Sequence, residues 1–378
     1  MILNNGGVKL MNILMIVTWY SPYNAELSKG IFHYEQSIAL QKYCSTALYY
    51  PYDLEYNFKK DNEKGLLVYR RKYIKNRILN CMQCVKDFKQ INREFKPDII
   101  HAHVAGGAGI IATILGKLYR IPVVVTEHSP IELSRFDNLI IKTAIKWVYH
   151  NSRANICVSE DFRNRISEIY PKEKFQVIYN GIMNPNDIKR DGVQYAKTGF
   201  VNCSIVASFY DKEIKGYQYL LPAIKELVEN EYNIMLHICG GGEYMDYYCH
   251  MAEELGIINN CIFYGQCQRE KVYSILEQMD FSISSSILEC SGVSVQEAML
   301  LGKPLVVTKS GGADSLVNQD TAIVVERNSV EALIEGISEM IRNLSMFDER
   351  KIKEYAFHNF EMDAISRQYM DVYGRVID

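Results

Sequence analysis

The chain alternates short apolar runs with stretches in which apolar residues recur at helical spacing. The apolar runs are continuous, which is typical of strands buried on both faces of a parallel sheet. Polar or glycine-containing loops separate each run from the helical stretch that follows. This pattern predicts an α/β fold built on parallel sheets. The clearest runs are residues 12–18, 121–126, 155–159, 201–208 and 233–239.

The length of the chain predicts two domains. At 378 residues the chain exceeds what a single hydrophobic core usually supports. Residues 182–199 are rich in Asn, Pro, Asp, Gly and Lys and lack periodicity, which is typical of an interdomain connection. A single long, aromatic helix is predicted from about residue 351 to 377. We therefore expect one domain over residues 11–190, a second over 191–355, and a terminal helical segment over 356–378.

Composition and charge exclude several classes of protein. The net charge of −3 and the pI near 6.3 exclude a generally basic nucleic-acid binder. No apolar run reaches the roughly 18 residues that a bilayer crossing needs. Residues 1–10 lack the basic and apolar regions of a signal peptide and are interpreted as an extension before the first strand. Ten scattered cysteines, several in strand-like runs, are typical of reduced thiols and predict a cytoplasmic protein.

The strongest candidate chemistry lies in a glycine-containing turn at the start of a predicted helix. The turn at Cys290, Ser291 and Gly292 is expected to present backbone N–H groups at that helix start, where the helix dipole also favours an anion. Glu289 and Glu297 flank the turn with seven residues between them. Carboxylates are good acceptors for paired sugar hydroxyls. A phosphate site with two hydroxyl-binding carboxylates points to a nucleotide-sugar ligand.

Glycine and histidine residues follow other predicted strands. Gly30 closes a polar loop after the first strand, a layout that places backbone N–H groups against phosphate. His128 follows the strand at residues 121–126, and the carboxyl ends of parallel strands face the crevice where ligands bind. His101 and His103 end the preceding strand and are expected to shape the floor of the same pocket.

Residues 59–96 are strongly basic, with 12 Lys or Arg against 4 acids. Two interpretations remain open for this segment. It is either an amphipathic surface for an anionic membrane or an anionic, lipid-linked acceptor, or it is a packed helix with a solvated basic face. The predicted apolar stripe of its helix comprises Ile74, Ile78, Leu79, Met82, Val85, Phe88 and Ile91.

The residues around the two glutamates resemble the donor-binding signature of retaining GT-B glycosyltransferases of family GT4. The resemblance covers about thirty residues and continues in the amino-terminal half, where DIIHAH and VVVTEHS are similar to the family's strands. The chain also has the family's Lys-Gly before a helix, at Lys215 and Gly216. Around the glutamates, the matching positions are Gly292, Ala298, Gly302-Lys303-Pro304 and Gly311-Gly312.

This resemblance implies two Rossmann-like domains that face each other across a cleft, with the C-terminal helix crossing back to the N-terminal domain. Residues 11–190 would then bind the acceptor and residues 191–355 the donor. The implied reaction moves a sugar from a UDP- or GDP-sugar to a glycan or lipid-linked acceptor, with retention, in surface polysaccharide biosynthesis. No cofactor or nucleic acid is expected, and without an Asp-x-Asp strand end we predict no divalent cation. The basic segment would allow contact with the inner face of the cell membrane.

The resemblance also assigns roles to individual residues. The catalytic set would be His128 beside the anomeric carbon, Lys215 on the diphosphate and Glu289 on the sugar hydroxyls. Glu297 would bind the ribose. The other donor-binding residues would be Gly30, Tyr264, Gly265, Ser291, Gly292 and Val293.

Two positions depart from the family pattern. The first loop has Gly30 alone where two adjacent glycines are usual, and Ser208 stands where many relatives have an arginine. Losing that cation leaves the strength of phosphate binding open, with Lys212 as a candidate substitute. Two rival functions therefore stay in view: a nucleotide-sugar epimerase of similar shape, and a nucleotide-sugar-binding subunit without catalysis.

Overall fold

The chain divides into two compact α/β units. In the computed structural model, the described residues are 10–20, 30–128 and 138–377. The first unit ends at Gly181 and resumes at Met362, and the second unit comprises everything between these residues. The second unit is therefore inserted into the first.

The first unit contains an eight-stranded sheet. Its strands are β1 (Asn12–Ile16), β2 (Ser45–Asp53), β3 (Lys59–Glu63), β4 (Leu66–Lys72), β5 (Ile99–His103), β6 (Val123–Glu127), β7 (Ala154–Cys157) and β8 (Gln176–Val177). Their order in the sheet is β3-β4-β2-β1-β5-β6-β7-β8. All neighbours pair in parallel except β3 and β4, which form an antiparallel pair at one edge. Strands β1, β6 and β7 correspond to predicted apolar runs, whereas β2 and β4 were not predicted.

Helices connect these strands, and polar side chains fix several helix starts. Asn76, Asn138 and Ser159 each accept hydrogen bonds from N–H groups of the turn that follows, which satisfies donors that a helix start leaves unpaired. The helices are α1 (Ile31–Leu40), α2 (Arg77–Glu94), α3 (Gly107–Tyr119), α4 (Leu139–Asn151) and α5 (Glu160–Ile169).

The second unit contains a six-stranded parallel sheet. Its strands are β9 (Val201–Val206), β10 (Ile234–Cys239), β11 (Cys261–Phe263), β12 (Phe281–Ser284), β13 (Leu305–Thr308) and β14 (Ala322–Val325), in the order β11-β10-β9-β12-β13-β14. Its helices are α6 (Tyr217–Glu229), α7 (Met245–Glu254), α8 (Arg269–Glu277), α9 (Val293–Leu300), α10 (Val330–Asn343) and α11 (Glu349–Phe360). Both units therefore have the Rossmann-like layout that the resemblance implies.

The C-terminal helix α12 (Met362–Ile377) packs on the first unit. Its apolar face, including Ile365 and Tyr373, is buried with Ile13 and Met15 of β1. The expectation that the C-terminal helix crosses back to the N-terminal domain is confirmed.

The prediction of one long terminal helix is wrong. Helices α11 and α12 are separate because Glu361 is extended between them, with φ −63° and ψ 139°. At this break the Ile182 N–H donates to the Phe360 carbonyl over 2.9 Å, and Ile182 bridges to Glu361. The two places where the chain passes from one unit to the other are therefore hydrogen-bonded to each other. The crossings lie at 181/182 and 361/362, whereas the boundaries predicted from the sequence lie at 190/191 and 355/356.

The basic segment, residues 59–96, is a hairpin followed by a helix. Strands β3 and β4 take up its first half, and α2 begins only at Arg77. The predicted apolar stripe is partly wrong, because only its later residues, among them Phe88 and Ile91, are buried. Ile78, Leu79 and Met82 at the start of α2 are exposed.

All ten cysteines are free thiols, which agrees with the expected reduced state. Cys84 is buried and Cys81 is half-buried on α2. None of the described helices combines the length and the apolar character that a bilayer crossing requires.

His101 is part of the fold of the first unit. It is fully buried in β5, where Nδ1 lies 2.7 Å from the Tyr373 hydroxyl and Nε2 lies 2.8 Å from Thr126 Oγ1. These contacts join the sheet to α12, so the expectation that His101 shapes a pocket floor is wrong. Burial lowers the pKa of His101 to about 3, and the nearby His128 contributes to the shift.

We predict that His101 makes the first unit less stable in mild acid. The folded state keeps this imidazole neutral, whereas the unfolded state takes up a proton below its ordinary pKa of about 6.5. Stability should therefore fall as the pH falls from about 6.5 towards 3, by about 1.4 kcal/mol per pH unit from this residue. Both tryptophans, Trp19 and Trp147, lie in the first unit, so urea unfolding followed by tryptophan fluorescence measures it separately.

The matched comparison uses two substitutions in the same unit. His101→Asn should reduce the dependence of unfolding free energy on pH between 6 and 4. The largely exposed His150 on α4, replaced by Asn in the same way, provides the comparison. An identical pH dependence in His101→Asn and the unaltered protein would mean that the buried imidazole titrates normally.

Candidate functional site

The second unit places Lys215 and Glu289 together at the carboxyl edge of its sheet. Strand β9 has β10 on one side and β12 on the other, so the loops after β9 and β12 diverge at a topological switch point, where α/β folds bind ligands. Lys215 follows β9 and Glu289 follows β12. The Lys215 Nζ lies 2.6 Å from Glu289 Oε2, and each side chain is 22% exposed. The ion pair therefore remains accessible to a ligand.

A close approach of two backbones fixes the lysine loop. Gly216 has φ 72°, and a Cβ there would lie 1.9 Å from the Ser285 carbonyl oxygen. Ser285 Oγ donates to the Lys215 carbonyl over 2.8 Å, and the Ile287 N–H donates to the Ile214 carbonyl over 2.8 Å. The loops after β9 and β12 are therefore tied together, which fixes the backbone from which Lys215 reaches Glu289.

The glutamate is held from its other side. The Glu289 N–H donates to the Ser310 carbonyl over 3.1 Å. Gly312 lets the two backbones approach, because a Cβ there would lie 2.6 Å from the Glu289 carbonyl oxygen. Ser286 Oγ lies 3.3 Å from Glu289 Oε2. The carboxylate thus has a fixed position and faces one cation and one hydroxyl.

Helix α9 begins immediately after this pair. Its N-cap, Gly292, has φ 45° and offers no side chain to cap the helix, and the first turn contains no acid. The first N–H groups of a helix have no intrahelical acceptor, so this end favours an anion. Ser291 is buried, and Val293 is 41% exposed. The structure therefore brings Ser291, Gly292 and Val293 next to Glu289 as predicted.

Glu297 lies farther along α9 and faces α8. Its side chain is largely buried, with Oε1 3.4 Å from the Tyr273 hydroxyl and 3.9 Å from Arg269 Nε. Sequence reasoning missed these two α8 residues. Their helical spacing of four was the available signal, but nothing in it indicated contact with α9.

Tyr264 and Gly265 directly follow the edge strand β11. The Tyr264 hydroxyl lies 2.8 Å from His237 Nδ1, and Gly265, with φ 67°, accepts a hydrogen bond from the Gly240 N–H over 3.0 Å. Burial raises the pKa of Tyr264 and lowers that of His237 to about 4, so both are neutral near pH 7. Helix α8 begins at Arg269, four residues after Gly265, and its residues Arg269 and Tyr273 approach Glu297. The predicted donor residues Tyr264 and Gly265 therefore lie at the β11 edge of the second sheet.

In the first unit, three histidines cluster at the carboxyl edge of the sheet. His103 ends β5, His128 follows β6, and His33 lies on α1, which follows β1. His103 Nδ1 lies 2.8 Å from His128 Nε2, and the His33 and His103 ring centroids are 4.5 Å apart. Strands β1 and β5 flank the switch point of this sheet. The structure thus places His128 at the carboxyl edge of the first sheet and adds His33, which sequence reasoning missed.

Burial keeps this histidine cluster neutral. It lowers the pKa of His128 to about 4, partly opposed by the Asn180 side chain. The pKa values of His33 and His103 lie well below the usual range, first because of burial and then because of the neighbouring imidazoles. Within the described chain, both ring nitrogens of His33 and Nε2 of His103 are buried without a hydrogen-bond partner. Such groups cost stability unless a ligand or water satisfies them.

Gly30 determines where α1 begins. It is the N-cap of α1 with φ 78°, and a Cβ there would lie 2.7 Å from the Trp19 carbonyl oxygen. It thereby positions the helix that carries His33. Residues 21–29 of the preceding loop lie outside the described residues.

The three histidines are also a possible metal donor set. Ligand atoms of His33, His103 and His128 all lie within 4.8 Å of one another. Imidazole nitrogens suit zinc and similar divalent ions. The absence of a required divalent cation stays a prediction.

Comparisons with known proteins agree with this geometry. The family model described as glycosyl transferases group 1 matches residues 203–358, and that of glycosyltransferase family 4 matches residues 54–183. The crystal structure of Anabaena HepE in complex with UDP is similar, with a TM-score of 0.76, 17% identity, and coverage of 97% of this chain and 100% of that chain. This likeness confirms the expected GT-B fold.

Curated relatives are glycosyltransferases with several acceptors. An uncharacterized glycosyltransferase of Methanocaldococcus jannaschii is 25% identical over 74% of this chain and 75% of its own length. Alpha-monoglucosyldiacylglycerol synthase of Streptococcus pneumoniae is 24% identical over 61% of this chain and 56% of its own length. The Escherichia coli UDP-Gal:alpha-D-GlcNAc-diphosphoundecaprenol alpha-1,3-galactosyltransferase is 23% identical over 66% of this chain and 67% of its own length.

Two family models thus match the two units separately, and each unit has its predicted polar residues at the carboxyl edge of a parallel sheet. The chain is a glycosyltransferase and belongs to family GT4 of the group 1 glycosyltransferases.

Proposed function

We propose that this glycosyltransferase moves a sugar from a UDP- or GDP-sugar to a lipid-linked glycan acceptor, with retention of anomeric configuration, in surface polysaccharide biosynthesis. One observation carries the proposal: the Lys215–Glu289 ion pair stands directly before the exposed start of α9. This arrangement offers a cation, free N–H groups and a carboxylate to a sugar diphosphate. The similarity to HepE bound to UDP and to a galactosyltransferase that uses UDP-Gal supports the donor class.

In the proposed reaction the nucleoside diphosphate is the leaving group. As the bond from the anomeric carbon to the diphosphate oxygen breaks, negative charge accumulates on the diphosphate. Lys215 and the N–H groups of Gly292 and Val293 stabilise that charge with fixed dipoles and a point charge. When the donor diphosphate attracts Lys215, Glu289 becomes available to accept hydrogen bonds from the sugar hydroxyls.

Retention requires the acceptor to approach from the side that the diphosphate leaves. The acceptor hydroxyl oxygen forms the new bond to an oxocarbenium-like carbon, and its proton passes to the departing phosphate oxygen. Glu289 therefore has no need to act as a covalent nucleophile. His128, neutral near pH 7 because its pKa is about 4, donates or accepts a hydrogen bond at the transferred sugar.

Glu297 is assigned to the ribose, and we predict that Glu297→Ala lowers donor affinity. Loss of charge-assisted hydrogen bonds should raise the Kd for the preferred donor by about 10- to 100-fold. The measurement is calorimetry after a panel of UDP-, GDP- and ADP-sugars has been screened for thermal stabilisation. Glu339, exposed on α10, provides the control, and Glu339→Ala should bind the donor normally. Equal affinity in both variants would remove the ribose assignment.

Lys215→Met should mainly reduce the rate of transfer. Because charge on the diphosphate grows in the transition state, we expect kcat to fall by about 100- to 1000-fold. A steady-state assay of nucleotide release with a sugar acceptor measures this effect. Lys225→Met on α6 is the control, since Lys225 forms an exposed ion pair with Glu229. If both variants kept the normal kcat, Lys215 would have no part in catalysis.

Metal independence is tested by chelation. We predict that extensive dialysis against EDTA leaves kcat unchanged, because Lys215 and the start of α9 supply the positive charge that a cation would otherwise provide. The contrary result would be a loss of activity on dialysis that added zinc restores. If zinc did not restore activity in a His103→Asn variant, the histidine cluster would be a metal site.

We further propose a cytoplasmic location with contact at the anionic inner face of the cell membrane through residues 59–96, and no role in binding nucleic acid. The exposed apolar residues at the start of α2 and the basic residues around them support this contact. Co-sedimentation with anionic but not with neutral vesicles is the expected result, and equal recovery with both would contradict it.

A further inference from the structure

The first unit contains a cavity whose lining residues are separate from those assigned to the donor site. A cavity of about 300 Å³ lies between α2, α3 and α4. Thr18, Tyr52 and Gly107 contribute to its wall from the loop after β1, the end of β2 and the start of α3. Gly107 lies four residues after His103, so the cavity begins close along the chain to the histidine cluster.

The cavity wall is mainly hydrocarbon. Helix α3 contributes Ile110 and Ile111, and α4 contributes Ile141, Ala144 and Ile145. A cavity of this size with such a wall matches an apolar ligand. Apolar cavities of this kind remain dry when empty and bind hydrocarbon readily.

The entrance of the cavity is also apolar and is exposed. Ile140 lines the cavity and is 81% exposed, and its neighbour Leu139 is 77% exposed. On α2, Ile78 and Leu79 directly follow the lining residue Arg77 in sequence and are 73% and 51% exposed. Clustered exposed apolar side chains mark surfaces that meet a membrane or an apolar ligand.

The charge at the entrance is positive and unbalanced. Arg77 is the first residue of α2 and lines the cavity, Lys75 precedes it, and the first turn of the helix contains no acid. A helix start carries positive partial charge, so two cations are unfavourable there unless an anion binds. In the described chain neither Arg77 nor Lys75 forms an ion pair. Some other bases of the same segment are paired, as Arg71 is with Asp87 and Lys60 with Glu94.

We propose that this cavity binds the first isoprenoid units of a polyprenyl diphosphate-linked acceptor, with the diphosphate at Arg77 and Lys75. The proposal rests on the proposed function and specifies its acceptor. One cavity accommodates one chain, which favours a single prenyl chain over a two-chain glycerolipid. Two neighbouring cations match a diphosphate better than a neutral headgroup. The relative that acts on a diphosphoundecaprenol acceptor supports the same chemistry.

The test is a binding series without donor. Isopentenyl, geranyl and geranylgeranyl diphosphate are titrated below their micelle concentrations by calorimetry. Because the donor site can also bind a diphosphate, the informative quantity is the difference in affinity between chain lengths. We expect affinity to rise by about fourfold for each methylene that the cavity buries, until it is full.

Two pairs of variants locate the binding. Ala144→Phe fills the cavity from α4 and should weaken geranylgeranyl diphosphate at least tenfold without affecting isopentenyl diphosphate. Thr143→Phe, one residue away on the exposed face of α4, is its control. Cys81→Phe narrows the same cavity from α2 and keeps the test valid if Ala144→Phe fails to fold. Arg77→Gln should weaken all three diphosphates, whereas Lys89→Gln, exposed on the same helix, should weaken none.

The outcomes separate this inference from the proposed function. Equal affinity for all chain lengths, or unchanged chain-length dependence in both cavity-filling variants, would overturn the prenyl site even if UDP-sugars bind normally. Tighter binding of dioctanoyl phosphatidate than of geranylgeranyl diphosphate would overturn the single-chain assignment. Failure of every nucleotide-sugar to bind would count against the proposed donor and leave the prenyl measurement intact.

Discussion

The position of the Lys215–Glu289 pair depends on backbone contacts that no side chain could occupy. Gly216 meets the Ser285 carbonyl and Gly312 meets the Glu289 carbonyl at distances that leave no space for a Cβ. These contacts join the loops after β9, β12 and β13 into one rigid edge. A charged pair on independent surface loops would lose much of its interaction energy to side-chain entropy and water. Here the backbone has already restricted the loops, so a ligand can exchange partners with the pair without first ordering them.

In the first unit, burial and contacts between rings fix the geometry of the histidine cluster. His33, His103 and His128 are neutral because burial disfavours their charged forms, and their rings contact one another. Neutral imidazoles each supply one donor and one acceptor, so in the proposed reaction they would bind sugar hydroxyls without adding charge. The two units therefore offer different chemistry: positive charge and a carboxylate in the second, neutral polar groups in the first.

Much of this could be predicted from the sequence, for identifiable reasons. The continuous apolar runs report burial on both faces, and they located β1, β6, β9 and β10 well. The helix predicted after the glycine-containing turn is observed as α9, because the glycine turn marks where the helix begins. The sequence identified the glutamates and Lys215 because the motifs that contain them come after strands β12 and β9. Their contacts with each other could be expected, whereas the separate domain roles stay predictions.

The errors came from contacts between distant parts of the chain. An apolar stripe on α2 does not say which neighbour covers it, and the structure covers Phe88 while leaving Ile78 exposed. His101 and His103 look equivalent in sequence because they are two residues apart on one strand. His101 contacts Tyr373, whereas His103 contacts His128, and these contacts give the two residues different roles. The helix break at Glu361 likewise depends on Ile182, which lies far away in sequence.

The insertion of one unit into the other has a consequence for biosynthesis. The second unit is contiguous and has all of its core residues once Glu361 has been made. The first unit lacks the apolar face of α12, including Ile365 and Tyr369, until residues beyond Met362 have been made, after the whole second unit. Part of the core of the first sheet is therefore uncovered while the second unit is being made, although most of the first unit is synthesised before it. Domains usually fold in order from the N-terminus, and this topology reverses that order.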